Sequence, residues 1–188
     1  MNAIGAILVR PLGQADAEQY RSLRLASLRD FQFAHGPDYE ESLAKTLSWH
    51  AARLAKPDYH WFGAFDGATL VGAICLRTKE GRRLRHSASL NSLMVASSHQ
   101  RAGIGRVLVA HLVDFARSLG TIRQITLEVN DNNVPARRLY DSFGFQQFGL
   151  EPDAILHEGR YCAKQHLQLS LVSQRPNEQP ISTTPARD

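Results

Sequence analysis

Apolar and polar positions repeat with two different periods along the centre of the chain, and the change of period predicts three successive elements. Residues 90–95 form an apolar run that ends in a polar turn at residues 96–102. Apolar residues then recur at steps of three or four, at Ile104, Leu108, Leu112, Phe115 and Leu119. That spacing places them on one face of a helix. Ile125, Leu127 and Val129 alternate with polar residues, as in a strand. The pattern predicts a βαβ unit with two parallel strands.

The flanking segments complete an alternating pattern of helices and strands. Towards the N-terminus we predict a strand at residues 6–10, a helix from residue 15 or 16, a turn-rich connection at 33–39 and one helix at 40–56. Strands at 61–65 and 70–77 are joined by Asp66-Gly67, which favours a hairpin. Asn133 is a candidate N-cap for a helix at 134–143, with Gly144 after its end. We predict the last two strands at 146–150 and 161–171, joined by a connection at 151–160.

The turn Gly103-Ile104-Gly105 is the first candidate for chemistry. Glycines let the backbone approach a ligand closely, and the first N–H groups of the following helix lack internal partners. These groups lie at the positive end of the helix dipole, so the turn can bind phosphate. Arg101 and Arg106 flank it and add positive charge. An ordinary strand-to-helix turn would show the same glycines and remains an alternative.

Two other phosphate-binding patterns fit poorly. The dinucleotide fingerprint requires a third glycine where this chain has Leu108, although an acidic residue follows at Glu128. The P-loop requires Gly-Lys-Ser or Gly-Lys-Thr, and the sequence contains neither.

The turn and a second motif together resemble the GCN5-related N-acetyltransferase family. The family's pyrophosphate loop, Gln/Arg-x-x-Gly-x-Gly/Ala, corresponds to Gln100-Arg101-Ala102-Gly103-Ile104-Gly105, preceded by Leu93-Met94-Val95 at the end of a strand. Downstream the family shows Asn-x-x-Asn-x-x-Ala-x-x-Leu-Tyr and then Gly-Phe. This chain has Asn130, Asn133, Ala136, Leu139, Tyr140 and Gly144-Phe145. Ser97 stands where the family often has proline. The resemblance, which includes residues 23–41, covers about residues 6–170.

The resemblance implies an α/β fold with a mixed, mostly antiparallel sheet of about seven strands, helices on both faces and two splayed central parallel strands. It implies an N-acetyltransferase that uses acetyl-CoA as co-substrate, without a metal, and transfers the acetyl group to a primary amine by direct attack in a ternary complex. Backbone groups of Leu93, Met94 and Val95 would hold the pantetheine. The loop would hold the pyrophosphate through Gln100, Arg101, Ala102, Gly103, Ile104, Gly105 and Arg106. Asn133 would contact the cofactor arm, and Tyr140 would contact the cofactor and protonate the departing thiolate.

The general base stays open. Many family members carry a glutamate early in the first central strand, where we place Ser89. Glu128 is our candidate catalytic carboxylate, and His86 and Asp131 are alternatives. Because that glutamate is missing, a non-catalytic acyl-CoA-binding module, a sensor or scaffold, is the alternative function.

Composition narrows the class of protein. The 188 residues are 43% hydrophobic and 21% charged, which predicts one domain at residues 6–172 and a flexible tail at 173–188. Two cysteines favour neither a disulfide framework nor a metal site, and the short N-terminal apolar run predicts no membrane association and a cytoplasmic protein. The net charge of +4 is too diffuse to indicate nucleic acid.

Partners are less constrained by the sequence. Arg82, Arg83 and Arg85 fit a solvated loop better than an RNA-binding patch. The acceptor is a small-molecule amine or a protein amine, and acidic residues at 30–41 are candidates to attract it. Many family members dimerise, so a homodimer is an expectation.

Overall fold

The computed structural model describes residues 6–31, 38–157 and 159–172. Most of the predicted connection at 33–39 and the whole predicted tail at 173–188 lie outside these residues. Seven strands form one sheet in the order β1-β2-β3-β4-β5-β7-β6. They are β1 (Ile7–Pro11), β2 (Tyr59–Asp66), β3 (Thr69–Thr78), β4 (Ser87–Val95), β5 (Gln124–Asn130), β6 (Gln146–His157) and β7 (Arg160–Ser170).

The pairing of β4 with β5 is parallel, and the other pairings between these strands are antiparallel. This confirms the predicted mixed sheet and its central parallel pair. The hairpin between β2 and β3 also forms at Asp66-Gly67, where Gly67 takes a positive φ of 58° that glycine adopts without strain.

Helices cover both faces of the sheet. They are α1 (Ala17–Asp30), α2 (Tyr39–Leu43), α3 (Leu47–Leu54), α4 (Ile104–Ser118) and α5 (Val134–Asp141). On one face, α4 buries Ile104, Leu108 and Leu112 as its apolar period predicts. Each such side chain contributes about 1.5–3 kcal/mol relative to an exposed one. On the other face, Tyr20 of α1 packs edge-on against Trp61 of β2, with ring centroids 4.9 Å apart.

The single helix predicted at residues 40–56 is wrong, because two helices, α2 and α3, occupy this segment. Thr46 begins α3 as its N-cap, and its side-chain oxygen accepts a hydrogen bond of 3.2 Å from the backbone N–H of Trp49. Leu43, Leu47 and Trp49 are 40%, 48% and 42% exposed. These three apolar residues therefore do not form a buried helix face.

The connection predicted at residues 151–160 is also wrong, because β6 continues to His157. The strand passes through a register shift between Glu151 and Ile155, where Asp153 has a positive φ of 52°. Since β6 lies at the edge of the sheet, Pro152 removes no hydrogen bond from an interior strand. Proline and aspartate thus produced an irregularity within a strand instead of ending it.

Within the three described ranges, every helix is too short or too polar to cross a membrane.

Candidate active site

The two central parallel strands part after a short contact. β4 and β5 pair at three positions, Ser87 with Gln124, Ala88 with Ile125 and Ser89 with Thr126. Beyond these positions β4 remains paired with β3 as far as Val95, and β5 remains paired with β7 as far as Asn130. Each parting strand is therefore held along its outer edge, while its inner edge faces a gap. This confirms the predicted splay.

A bulge in β4 lies beside the gap. Ala73 pairs with Met94 and Cys75 with Asn91, so Ser92 and Leu93 together stand opposite Ile74. Ser92 has a positive φ of 56°, which a side chain of this kind adopts rarely. Such outliers concentrate at functional sites because they re-aim the neighbouring groups. The sequence did not predict this bulge, since no glycine marks it.

A cleft of about 1010 Å³ follows the gap. This volume lies at the upper end of the range for ligand pockets, so the cleft can hold an extended ligand. Among the predicted site residues, Leu93, Glu128, Asn133 and Tyr140 line it together. Met94 is instead buried in the core beneath α1, and Val95 packs against the core beneath α4. Neither of these two residues lines the cleft.

The glycine turn lies at the exposed end of β4 and leads into α4. Gly103 is the N-cap of α4 with a φ of 80°, and Arg101 also has a positive φ, of 62°. A Cβ at Gly103 would meet nothing within 4 Å, and one at Gly105 would lie 3.4 Å from Leu139 Cδ2. Gln100, Arg101, Ala102 and Arg106 are exposed, whereas Ile104 is buried as an anchor. The turn is therefore open to a ligand phosphate at the N-terminus of a helix of 15 residues.

The charge on Arg106 points away from the turn. Its guanidinium Nη2 donates a hydrogen bond of 2.9 Å to Ser142 Oγ and lies 5.3 Å from the centre of the Phe143 ring. Arg106 thus ties the start of α4 to the end of α5, and its side chain would have to turn to reach a phosphate on this turn.

Helix α5 carries Tyr140 into the cleft. Asn133 caps the helix, since its side-chain oxygen accepts a hydrogen bond of 3.2 Å from the backbone N–H of Ala136. Pro135 lies in the first turn, where its missing N–H costs nothing. Gly144 follows the helix with a φ of 85°. The predicted cap is confirmed, although Asn133 already uses its oxygen within the protein, and the helix ends at Asp141, two residues before the predicted end.

Tyr140 is a buried phenol at the cleft wall. It is 6% exposed, and its ring packs edge-on against Phe145 with centroids 5.7 Å apart. Burial raises the pKa of Tyr140 well above the usual value of a phenol. The hydroxyl is therefore protonated throughout the neutral range and can donate a proton or a hydrogen bond.

Glu128 belongs to a charged group that spans three strands. Its carboxylate lies 3.1 Å from Lys164 Nζ and 4.0 Å from His166 Nδ1. His166 Nε2 in turn lies 3.4 Å from Glu151 Oε2. All but Glu151 line the cleft. Sequence reasoning missed Lys164 and His166, because they approach Glu128 only through the pairing of β5 with β7.

The other candidates for the base are less well placed. Ser89 lines the cleft, and its hydroxyl accepts a hydrogen bond of 2.9 Å from Asn91 Nδ2. His86 and Asp131 are not among the residues that line the cleft. Of the three candidate bases named from the sequence, Glu128 lines the cleft, and its carboxylate lies 4.0 Å from His166 Nδ1.

The part of the cleft formed by α1–α3 and β3 is basic, which differs from the acidic wall expected at residues 30–41. Asp30 accepts a hydrogen bond of 2.6 Å from Ser97 Oγ, and Asp38 caps α2. Only Glu41 among the acidic residues of that segment lines the cleft. The basic residues in this part are Arg24, Arg53, Arg77 and Lys79. Arg24 is half-buried.

No cluster of three or more histidine, cysteine, aspartate or glutamate side chains suited to a metal ion occurs within the described part of the chain.

Comparison with known proteins gives the class that this fold and cleft define. The sequence profile described as the Acetyltransferase (GNAT) family matches residues 20–145. The chain therefore belongs to the GNAT acetyltransferase family, as the two motifs predicted.

Among its relatives is the N-alpha-acetyltransferase RimI of Mycobacterium tuberculosis, which is 40% identical over 97 residues. The match covers 52% of this chain and 58% of that relative, so the chain spans little more than half of its length. The [Ribosomal protein bS18]-alanine N-acetyltransferase of Escherichia coli is 38% identical over 60 residues, which are 32% of this chain and 40% of that protein.

Solved structures show the same fold. A GNAT-family acetyltransferase from Streptococcus pneumoniae aligns with a TM-score of 0.79 at 20% identity, covering 88% of this chain and 99% of that one. The yncA protein of Salmonella typhimurium, described as a putative acetyltransferase with its cofactor acetyl-CoA, aligns with a TM-score of 0.74 at 20% identity. That alignment covers 93% of this chain and 99% of the other.

Proposed function

We propose that the protein is an acetyl-CoA-dependent N-acetyltransferase that transfers an acetyl group to a primary amine by direct attack in a ternary complex. The observation that carries the proposal is the gap between β4 and β5. An open glycine turn lies at the end of this gap and leads into α4. Family membership supports the same reaction class.

The chain offers binding groups for each part of the co-substrate. The backbone N–H groups of the turn at residues 100–106 bind the pyrophosphate at the positive end of α4. The inner edge of β4 at Leu93, Met94 and Val95 offers N–H and C=O groups to the pantetheine amides. Asn133 and Tyr140 contact the arm from α5. Bound acetyl-CoA supplies an activated thioester carbonyl.

Proton movements fall to two side chains that line the cleft. A lysine-like amine with a pKa near 10.4 has roughly one molecule in two thousand uncharged at neutral pH, so the protein must accept a proton. Glu128, directly or through His166 or water, accepts it. Tyr140 donates its proton to the departing sulfur, because burial keeps the phenol protonated.

The acceptor is a small-molecule amine or a protein amine. The name of the Escherichia coli relative gives its acceptor as an alanine of ribosomal protein bS18, and an alanine offers a primary amine only at a chain N-terminus, so a peptide N-terminus is one class to test.

Two measurements test the proposal. Isothermal titration calorimetry should show binding of acetyl-CoA with a stoichiometry of one, and thiol release should rise when a panel of primary amines is added. Absence of binding at millimolar acetyl-CoA would refute the assignment of the cleft.

A non-catalytic acyl-CoA-binding module is the second candidate. It is favoured by Ser89 at the position of the family's glutamate and by the ion pair of Glu128 with Lys164. Binding of acetyl-CoA with no acyl transfer to any amine of the panel would establish it.

A further inference from the structure

Two guanidinium groups line the cleft without a carboxylate partner. Arg24 of α1 and Arg53 of α3 both face it, and neither is within ion-pair distance of a carboxylate in the described residues. Arg77, on the same wall, differs because its Nε lies 3.4 Å from Asp58 Oδ2. A cation that the protein leaves unpaired in a concave site is available to an anionic ligand.

Arg53 is held in position by aromatic rings. Its guanidinium lies 5.5 Å from the ring of Trp49, 5.3 Å from that of Tyr59 and 5.5 Å from that of Trp61. It also interacts with the buried hydroxyl of Tyr20. A guanidinium fixed in this way loses little conformational freedom when it binds an anion.

Arg24 lies in an unfavourable electrostatic environment. Burial lowers the pKa of Arg24, the neighbouring Tyr20 hydroxyl offsets part of this effect, and the charge of Arg53 lowers the pKa again. The same cluster of arginines, together with burial, lowers the pKa of the 1% exposed His50 to about 4, and an imidazole supplies no negative charge in either form. An anion between Arg24 and Arg53 would relieve this repulsion.

The charge balance along the cleft points the same way. Five cationic side chains, Arg24, Arg53, Arg77, Lys79 and Lys164, line it together with two carboxylates, Glu41 and Glu128. Glu128 is paired with Lys164. A polyamine or a lysine-rich protein segment would meet net repulsion in this cleft.

We propose that the acceptor of this enzyme carries a carboxylate near its primary amine, and that Arg24 and Arg53 bind that carboxylate. This inference rests on the proposed acetyl transfer and names the class of acceptor. A free amino acid and a short peptide with an acidic residue beside its N-terminus both present this chemistry.

Acceptor pairs that differ only in charge test the proposal. Each free amino acid is compared with its carboxamide, and each acidic peptide with its glutamine or asparagine counterpart, by kcat/KM from thiol release. We expect the charged member to be preferred by about tenfold or more, because a charge-assisted contact is lost with its carboxylate. The carboxamide has the less basic amine and hence more free base, so amine ionisation cannot produce this preference. A larger preference among the free amino acids or among the acidic peptides shows which of the two classes supplies the carboxylate.

Arginine variants locate the subsite. Arg24→Gln and Arg53→Gln should raise the KM of the carboxylate acceptor by about tenfold or more and leave that of its uncharged counterpart unchanged. Arg83→Gln is the matched control, because Arg83 is an exposed loop residue outside the cleft. Unchanged affinity for acetyl-CoA verifies that each variant is folded.

Two outcomes separate this inference from the proposed function. If carboxylates and their uncharged counterparts are acetylated equally well, the anion subsite is refuted and acetyl transfer stands. If no amine is acetylated, calorimetry on the CoA-saturated protein decides. If the carboxylate member of a pair binds more tightly than its uncharged counterpart, and Arg24→Gln abolishes the difference, the anion subsite is supported even without acetyl transfer. Equal binding of the two members refutes the subsite.

Discussion

Replacing Tyr140 by phenylalanine removes one oxygen from the cleft wall and nothing from the core. The ring would keep its edge-on contact with Phe145 at 5.7 Å, so the fold and the shape of the cleft should persist. If the phenol protonates the departing sulfur, Tyr140→Phe must lower turnover while binding of acetyl-CoA stays nearly constant.

The expected loss follows from the chemistry of general acids. A positioned acid contributes about 10²–10⁴-fold to the rate, so kcat should fall by at least about 100-fold, which corresponds to about 2.7 kcal/mol of barrier. Because burial raises the pKa of Tyr140 above that of an ordinary phenol, the acid stays protonated up to at least pH 10. Turnover of the wild type should therefore show no decline from ionisation of Tyr140 between pH 7 and pH 10.

Stability gives an independent check on the same residue. The unfolded chain loses the tyrosine proton near pH 10, whereas the buried phenol retains it. Tyr140 therefore favours folding below pH 10, and this contribution is lost as the pH rises further. Above pH 10 the free energy of unfolding should fall more steeply in the wild type than in Tyr140→Phe.

Steady-state thiol release with saturating amine, together with calorimetry of acetyl-CoA binding, measures both effects. Tyr161→Phe is the matched control, because Tyr161 is 64% exposed and does not line the cleft. If Tyr140→Phe turns over like the wild type and like this control, then Tyr140 is not the acid and water must protonate the thiolate.

Three further predictions concern other parts of the cleft. Gly105→Glu should weaken acetyl-CoA binding by about 100-fold or more, because it places a carboxylate at the phosphate site. Gly105→Ala should bind acetyl-CoA far better than Gly105→Glu, because its methyl group carries no charge and would make an ordinary contact with Leu139 Cδ2 at 3.4 Å. Equal calorimetric affinities would show that the turn holds no phosphate. Glu128→Gln should lower kcat at pH 7 by about 100-fold, and its kcat should recover partly at higher pH, where more of the amine is uncharged. A pH–rate profile identical to that of the wild type would exclude Glu128 as the base. His50→Phe should make the folded protein less sensitive to acid. The pKa of His50 is about 4 in the folded protein and 6.5 in the unfolded chain, so the unfolded chain takes up the proton first. The free energy of unfolding of the wild type therefore falls as the pH drops below 6.5. Thermal melts at pH 7 and pH 5 measure this difference, and equal losses in both proteins would contradict it.

Features that depend on nearby residues were predictable from the sequence. The period of α4, the Asp66-Gly67 hairpin and the cap at Asn133 are each encoded within a few positions, and all three are confirmed. The parting of β4 from β5 came only with the family resemblance, because no local pattern specifies where two distant strands stop pairing.

Features that depend on distant partners were not predictable. Lys164 and His166 reach Glu128 only through the register of β7 against β5. Arg24 enters the cleft because α1 packs across β3 and β4, and the local sequence around α1 does not specify this packing. The extension of β6 through Pro152 similarly depends on its position at the edge of the sheet.

The gap in the sheet constrains the ligand more strongly than any single side chain. Backbone N–H and C=O groups on the facing edges of β4 and β5 have lost the partners that a closed sheet would supply, and an unpaired polar group is costly unless water or a ligand satisfies it. Because β3 and β7 hold the outer edges, the strands cannot close the gap by sliding together. A suitable occupant is an extended chain with amide groups along its length and an anion at the end near Gly103. Pantetheine followed by a diphosphate has both properties, so the parting of strands that costs sheet hydrogen bonds suits acyl-CoA as the occupant of the gap.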